Sequence, residues 1–495
     1  MTEIRFIDQT MRDGQQSLWG MKLRAFQATP ALPHINATGF EVVDLTGGGP
    51  FIVLVREFRD DPWATLDHIV AGLGDTSPRA GVRTLAVGGF GFTPDSVIDL
   101  WVQTLGRHGI ESLWLFDCLF DMPVMKRRAA AIVEAGVEVV PAIMFGLTDL
   151  HTDRFFADRG REMASWEGVR SIYFEDASGV LTPERAATLF PALQEATPGV
   201  RIEMHVHNTT GLAPLVYVEG FKHGIDTVHT CSLPMANGPS LPSTEAMVEI
   251  VESLGHSHRL DVSRLPPVAE NFEREALAAG YPLGAPNEYR TLPYRHQLPG
   301  GMTGTLRSQL AEHHMVDRLD EVIDEIVLVR EDLGQPVMAT PFSQFVGIQA
   351  VLNVVLGERY KVVPDEVIHY ASGHFGPPMR PVDPEIADRI FSQPRADELV
   401  AWERPQPSLA EVRQQLGTHL SDEELLLRFL IPAEHVDAML AAGPIRTRPR
   451  TGASELLEDL SELVSNPGKA NRISVTQPRM SVTVSRNPAT NGAAA

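Results

Sequence analysis

GVRSIYFEDASGVLTPERAATLFPALQEATPGVRIEMHVHNTTGLAPLVYVEGFKHGIDTVHTC, residues 168–231, carries three short apolar runs, Ser171–Phe174, Arg201–Val206 and Thr227–Cys231. Two amphipathic segments of helical spacing, Pro183–Ala196 and Leu212–His223, separate them. Gly168-Val169 and Gly224-Ile225 place a glycine where one helix ends and the next strand begins. The same unit recurs outward from this stretch. Its runs are Ile4–Phe6, Val42–Leu45, Thr84–Val87, Leu113–Phe116 and Val137–Ile143, with helices such as Asp95–His108 and Pro123–Ala135 between them. About eight units at a spacing of roughly 25–40 residues predict an α/β fold, a closed TIM (β/α)8 barrel over residues 1–300. An open doubly wound sheet would show the same alternation. Two features oppose it: no G-x-G-x-x-G follows the first run, and polar residues cluster after many different runs.

Beyond the barrel the texture changes. Residues 256–300 are rich in Pro, His and aromatic residues and read as an irregular linking layer. Residues 301–443 read as a mainly helical C-terminal domain packed on the barrel, with Asp320–Asp332, Gln344–Leu356 and Leu409–Leu416 as examples. Residues 444–495 hold few large apolar side chains, so burial there cannot offset the entropy of ordering, and disorder is expected.

The 495 residues are 43% hydrophobic and 21% charged, an ordinary globular composition. A formal net charge of -22 repels phosphate backbones and anionic membranes, so neither nucleic acid nor membrane is expected as a partner. Cys118 and Cys231 are the only cysteines, which suits a reducing cytosol. The start, MTEIRFIDQT, reads as a strand rather than a signal peptide, and a cytoplasmic location is expected. The five lysines, Lys22, Lys126, Lys222, Lys361 and Lys469, all fall outside the expected strands. Schiff-base chemistry therefore has no well-placed nucleophile.

In a barrel of this kind the residues just past the strand C-termini face the active site. Asp8 to Ser17 follow the first strand, Glu175-Asp176 end the sixth, His205-Val206-His207-Asn208 end the seventh, and Asn237 and Ser240 follow the eighth. Alternate strand residues share a face, so His205 and His207 project together. With Asp13 opposite, they form a two-His-one-carboxylate face suited to a divalent metal that polarises a carbonyl and stabilises an enolate. Two histidines hydrogen-bonded at a barrel rim are the bland alternative. Arg12 either braces Asp44 or Asp8, or stabilises a developing enolate oxygen. Gln16 either contacts a substrate carbonyl or caps the first helix. Cys118 reads as a packed thiol rather than a nucleophile.

These stretches resemble a known family. IDQTMRDGQQSLWG (7–20), DLTGGGPF (44–51), LFDCL (115–119), HVHNTTGLA (205–213) and PSTEAMV (242–248) are similar, in order, to motifs of one carboxyltransferase family. Its members are pyruvate carboxylase, the oxaloacetate decarboxylase α subunit and transcarboxylase. HQLPGGMTGTLRSQL (296–310) and TPFSQFVGIQAVLNVVLGERY (340–360) resemble the helical layer of the decarboxylase α chains. The similarity spans residue 3 to about residue 440. It implies that Asp13, His205 and His207 ligate zinc, manganese or cobalt and that Gln16 contacts a keto-acid substrate. Arg12 then matches the arginine beside the metal in the related 3-hydroxy-3-methylglutaryl-CoA lyase branch. Asn237 and Ser240 are further candidate substrate contacts, and a homodimer is expected.

Departures from the pattern carry information. Glu175 stands where the family has a carbamylated lysine as a metal ligand, retaining charge on a shorter stem. Trp114 stands where an arginine binding the pyruvate carboxylate is expected, which implies either an apolar or aromatic substrate group or a repacked mouth. Neither Met21-Lys22 nor Met125-Lys126 has a biotinyl module around it. Biotin is then supplied by a separate carrier protein, alongside a biotin carboxylase subunit, or is not used. Three readings follow: a carboxyltransferase or decarboxylase with an altered keto-acid or acyl substrate, a biotin-independent metal-dependent lyase or aldolase, and a non-catalytic subunit of a carboxylase complex.

Overall fold

In the computed structural model the eight runs close into one parallel barrel in sequence order, β1 to β8, with β8 pairing back onto β1. The structure describes residues 2–448, other than 90, 303–305, 307–309 and 311–314, together with 472–477 and 480–485. The strands are Arg5–Asp8 (β1), Val42–Thr46 (β2), Ser77–Arg83 (β3), Ser112–Phe116 (β4), Glu138–Met144 (β5), Ser171–Asp176 (β6), Arg201–Val206 (β7) and Thr227–Thr230 (β8). Each is followed by helical structure that packs outside the barrel, as in Asp95–Arg107 after β3 and Pro183–Ala196 after β6. Their apolar faces, with Trp101 and Leu105 or Leu189 and Leu193, are buried.

The third strand lies earlier than its apolar run predicts. Thr84–Val87 falls past the strand end, and β3 is the charged SPRAGVR stretch before it. Arg79 is buried inside the barrel against Glu203 of β7. That contact is long-range, so the residue looks locally like a loop arginine. Gly81 of the same strand leaves room for the Trp114 indole, because a Cβ there would lie 2.5 Å from it.

The linking layer is less irregular than expected. Leu265–Ala279 is a fifteen-residue helix, and its prolines stand in the first turn, where a missing N–H costs nothing. Leu265, Val268, Phe272 and Ala276 are buried at helical spacing. Leu319–Asp332, Phe342–Leu356, Asp365–Ala371 and further short helices make up the helical layer. They belong to the same compact unit as the barrel, which ends at Arg446. The layer touches the barrel rim at named points. The Gln297 side chain exchanges two hydrogen bonds with the Leu147 backbone, at 3.0 and 2.7 Å, and Cys118 S–H points to Thr340 O at 3.6 Å.

Much of the tail 444–495, expected to be disordered, lies outside the described residues. Within it Arg472–Gln477 and Met480–Ser485 pair as an antiparallel hairpin, with Val475 in register with Val482. Ile473, Val475 and Thr476 in one segment and Val482, Thr483 and Val484 in the other are β-branched and suit strands. Among the described residues no helix is long and apolar enough to cross a membrane.

Candidate metal centre and active site

After Asp8 the chain makes a π-helical turn, Thr10–Gly14, in which Gln9 O accepts from the backbone N–H of Asp13 (2.8 Å) and of Gly14 (2.9 Å). Asp8 holds the turn by accepting from Thr10 N–H and from its hydroxyl, at 3.3 and 2.6 Å. The turn carries Arg12 and Asp13 over the barrel mouth. His205 and His207, two apart on and just past β7, arrive from the other side.

Asp13 Oδ2 lies 3.2 Å from His207 Nε2 and 3.7 Å from His205 Nε2, and the two Nε2 atoms are 3.3 Å apart. Ligands held about 2.0–2.1 Å from a tetrahedral ion stand on the order of 3.3 Å from one another. The spacing therefore fits a divalent cation, and among the described residues this trio is the one group of potential ligands that converges in this way. Asp13 Oδ2 is buried with no hydrogen-bond donor, as a lone pair kept for a cation would be. His207 donates from Nδ1 to Pro239 O at 2.7 Å, which leaves its Nε2 lone pair free. Burial, together with His207, His229 and Arg12, keeps the His205 pKa well below its ordinary value, so this imidazole is neutral.

Glu175 stands outside the trio. Its Oε2 is buried and without a partner. Burial, reinforced by Asp13, Asp44 and Asp176 and opposed by Arg12, pushes its carboxyl up to about 8. It is thus a second carboxyl with unused bonding capacity near the seat.

Arg12 neither pairs with Asp8 nor hydrogen-bonds Asp44. Its Nη1 donates to Asp13 Oδ1 at 2.9 Å, and its guanidinium lies 4.4 Å from the Trp114 ring centroid. Burial opposes its charge, but Tyr173, Asp13, Asp44 and Glu175 outweigh that and raise its pKa above the usual arginine value. Trp114 is stacked between Phe116 and Tyr173, each at 4.9 Å. It is therefore the floor beneath Arg12, the repacked alternative rather than a free substrate wall.

Gln16 is exposed in the first turn of Gln15–Trp19, and the helix has no side-chain cap, so Gln16 does not cap it. The neighbouring Gln15 instead braces the turn through Met11 O and Leu23 N–H. Asn237 and Ser240, both in the loop after β8, each make a polar contact. Asn237, at φ 67°, accepts from Asn208 Nδ2 at 3.2 Å, and Ser240 is buried with its hydroxyl 3.5 Å from Cys231 Sγ. Both shape the loop whose Pro239 carbonyl holds His207. Cys118 is a packed thiol whose pKa burial pushes well up, and reactivity is not its role.

Arg83 is a candidate site residue that sequence reasoning missed. It ends β3 and lines a narrow cleft of about 30 Å³ with Phe92, Phe116, Cys118, Phe342 and Phe375. Burial lowers its pKa to about 10, and its Nη2 donates to Gly89 O at 2.8 Å. Among the described residues no carboxylate pairs with it. Once β3 is placed at 77–83, its C-terminal position is the signal that would have found it.

The chain is similar to known proteins. Residues 294–454 match the model of a conserved carboxylase domain, and residues 118–271 match the HMGL-like model. A pyruvate carboxylase subunit of Methanocaldococcus jannaschii is 33% identical over 393 residues, covering 79% of this chain and 69% of that one. The 2-oxoglutarate carboxylase large subunit of Hydrogenobacter thermophilus is 30% identical over 450 residues, 89% of this chain and 68% of that one. The methylmalonyl-CoA carboxyltransferase 5S subunit of Propionibacterium freudenreichii subsp. shermanii is 28% identical over 445 residues, with 87% and 86% covered. The fold matches the carboxyl transferase domain of Rhizobium etli pyruvate carboxylase at a TM-score of 0.81 and 23% identity, over 89% of this chain and 77% of that one. With a relative 33% identical across most of both chains, and with the expected trio gathered at the mouth of a closed barrel, the chain belongs to the carboxyltransferase family of the biotin-dependent carboxylases.

Proposed function

We propose that this enzyme moves a carboxyl group between biotin, borne on a separate carrier protein, and the enolisable carbon of a 2-oxo acid or related acyl substrate. The convergence of Asp13, His205 and His207 beside Arg12 carries the reading. A zinc, manganese or cobalt ion bound there would polarise the substrate carbonyl and stabilise the enolate. Arg12, rigid on Trp114, adds a fixed positive charge beside the same point. Arg83 offers a substrate carboxylate a charged partner, and the phenylalanines around it accommodate the apolar part. Exposed Gln16 is free to meet the substrate, and Glu175 stands by to donate a proton or, once ionised, to hold a metal-bound water. Partner carrier and biotin carboxylase subunits, a homodimer and a cytosolic setting belong to the same proposal.

The test is purification, metal analysis and assay of carboxyl transfer to a panel of 2-oxo acids, with carrier protein or free biotin. Stoichiometric metal, lost in His207→Ala together with activity, is expected. Transfer to none of the substrates, despite bound metal, would sink the biotin reading. A biotin-independent lyase is the second reading, favoured by the HMGL-like match over 118–271 and by Glu175. Metal-dependent cleavage of a β-keto or β-hydroxy acid, unaffected by avidin, would establish it instead.

A further inference from the structure

Beneath the metal seat a hydrogen-bonded run of buried polar residues crosses the barrel interior. Arg79 of β3 donates through both terminal nitrogens to Glu203 of β7. Glu203 Oε2 lies 3.1 Å from His229 Nε2 on β8, and His229 Nδ1 lies 3.1 Å from His205 Nδ1. All four side chains are at most 2% exposed. Such interiors are ordinarily filled by branched apolar residues, and a buried ion pair adds little net stability. Stability alone is a poor reason for this run.

The protons along it can be placed. Glu203, paired with Arg79, is an ionised carboxylate and only accepts, so His229 donates from Nε2. A second contact agrees independently. Gln9 Nε2 lies 3.1 Å from Asp44 Oδ2 and 3.0 Å from His229 Nδ1, so the amide that donates to Asp44 also donates to Nδ1. His229 Nδ1 is therefore a lone pair. His205 Nδ1 must carry a proton, because two lone pairs would otherwise face each other at 3.1 Å. Tyr173 Oη, 2.6 Å from the same nitrogen, is then the acceptor, since donation from its hydroxyl would leave the His205 Nδ1 lone pair facing that of His229. A neutral imidazole protonated at Nδ1 presents its lone pair at Nε2, the atom that faces Asp13 and His207.

We propose that Glu203, oriented by Arg79 and acting through His229, is the positioning residue that sets the tautomer of His205 and so readies Nε2 for a divalent cation. The inference rests on the metal reading above and adds residues that the motif resemblance does not include.

The test is titration of the full chain, stripped of metal by a chelator, with Co²⁺, following its visible absorption and dissociation constant. His229→Phe keeps the ring volume and the Arg79–Glu203 pair but removes the relay, and about 10–100-fold weaker Co²⁺ binding is expected. His229→Gln, which can donate to Glu203 and accept from His205, should regain most of the affinity. Arg79→Met/Glu203→Leu removes both charges together and should show a loss in the same direction. If His229→Phe does not fold, His229→Gln against that double variant makes the same comparison. A purely structural role would lower the thermal midpoint of the metal-free protein and leave Co²⁺ affinity and spectrum unchanged. That result overturns the proposal. Failure of the wild-type chain to bind Co²⁺ would instead bring down the metal reading on which it stands.

Discussion

The mouth and the middle of this barrel are both polar, but they use their bonding capacity differently. In the middle, Arg79, Glu203 and His229 satisfy one another. At the mouth, Asp13 Oδ2 and Glu175 Oε2 are buried without donors, and Arg83 lines the cleft with no carboxylate partner among the described residues. Buried polar groups are costly unless paired, so a cluster left incomplete marks the place where something else must bind. A completed cluster marks where the chain holds itself. Burial alone would not have separated the two regions; the pairing of the charged groups does, with Gln9 Oε1 and Asp44 Oδ1, also unpaired, lying between them.

Substitutions can break or sharpen this contrast. The largest effect on stability is expected in the middle: Arg79→Met strands Glu203 and should cost about 3–5 kcal/mol in denaturant unfolding, whereas Arg79→Met/Glu203→Leu should recover most of it. Equal losses in both variants would show that the pair is not the organising contact. At the mouth, Arg12→Lys keeps a charge but loses the planar fork over Trp114. Carboxyl transfer should fall about 10²–10³-fold while metal content is retained, with little change in unfolding midpoint. A lost metal would mean that Arg12 holds Asp13 rather than the enolate.

A pH effect follows from a third place, the seam between barrel and helical layer. His151 is buried, and burial, reinforced by Arg330 and Arg159, lowers its pKa to about 4. The unfolded chain binds that proton near pH 6.5, so stability is full above this value and is lost as pH falls toward 4. The contribution is about 3 kcal/mol at the low end. His151→Phe should flatten the acid limb of a pH–stability curve, and an unchanged limb would exclude this histidine as its source. The smallest effect belongs to Ser240→Ala, which removes a weak contact to Cys231. About 1 kcal/mol or less of stability should be lost with catalysis intact. A large loss of activity would return Ser240 to the substrate contacts.

The strands and the convergence of Asp13, His205 and His207 were legible because their signals are local. Apolar runs and terminal glycines mark β4 to β8, and the i, i+2 spacing of His205 and His207 places both on one face wherever that strand lies. Asp13 could be added because strand ends share one face of a barrel. Leu265–Ala279 was obscured by prolines that look like breakers until they are seen to occupy a first turn. β3 was obscured by Arg79, whose partner is 124 positions away. Misplacing β3 hid in turn that Arg83 stands at its C-terminal end.

Periodicity and motif order, read from the chain alone, sufficed for the closed barrel, the helical layer and the identity of the candidate metal ligands. Only tertiary structure could tell that Trp114 is a floor for Arg12, that Asn237 and Ser240 serve the loop behind His207, and that a proton-ordered run lies beneath His205. The reason is physical. Backbone geometry repeats over a few residues and leaves its period in the sequence. The free energy of a buried polar group depends on which distant partner meets it, and no local pattern records that meeting.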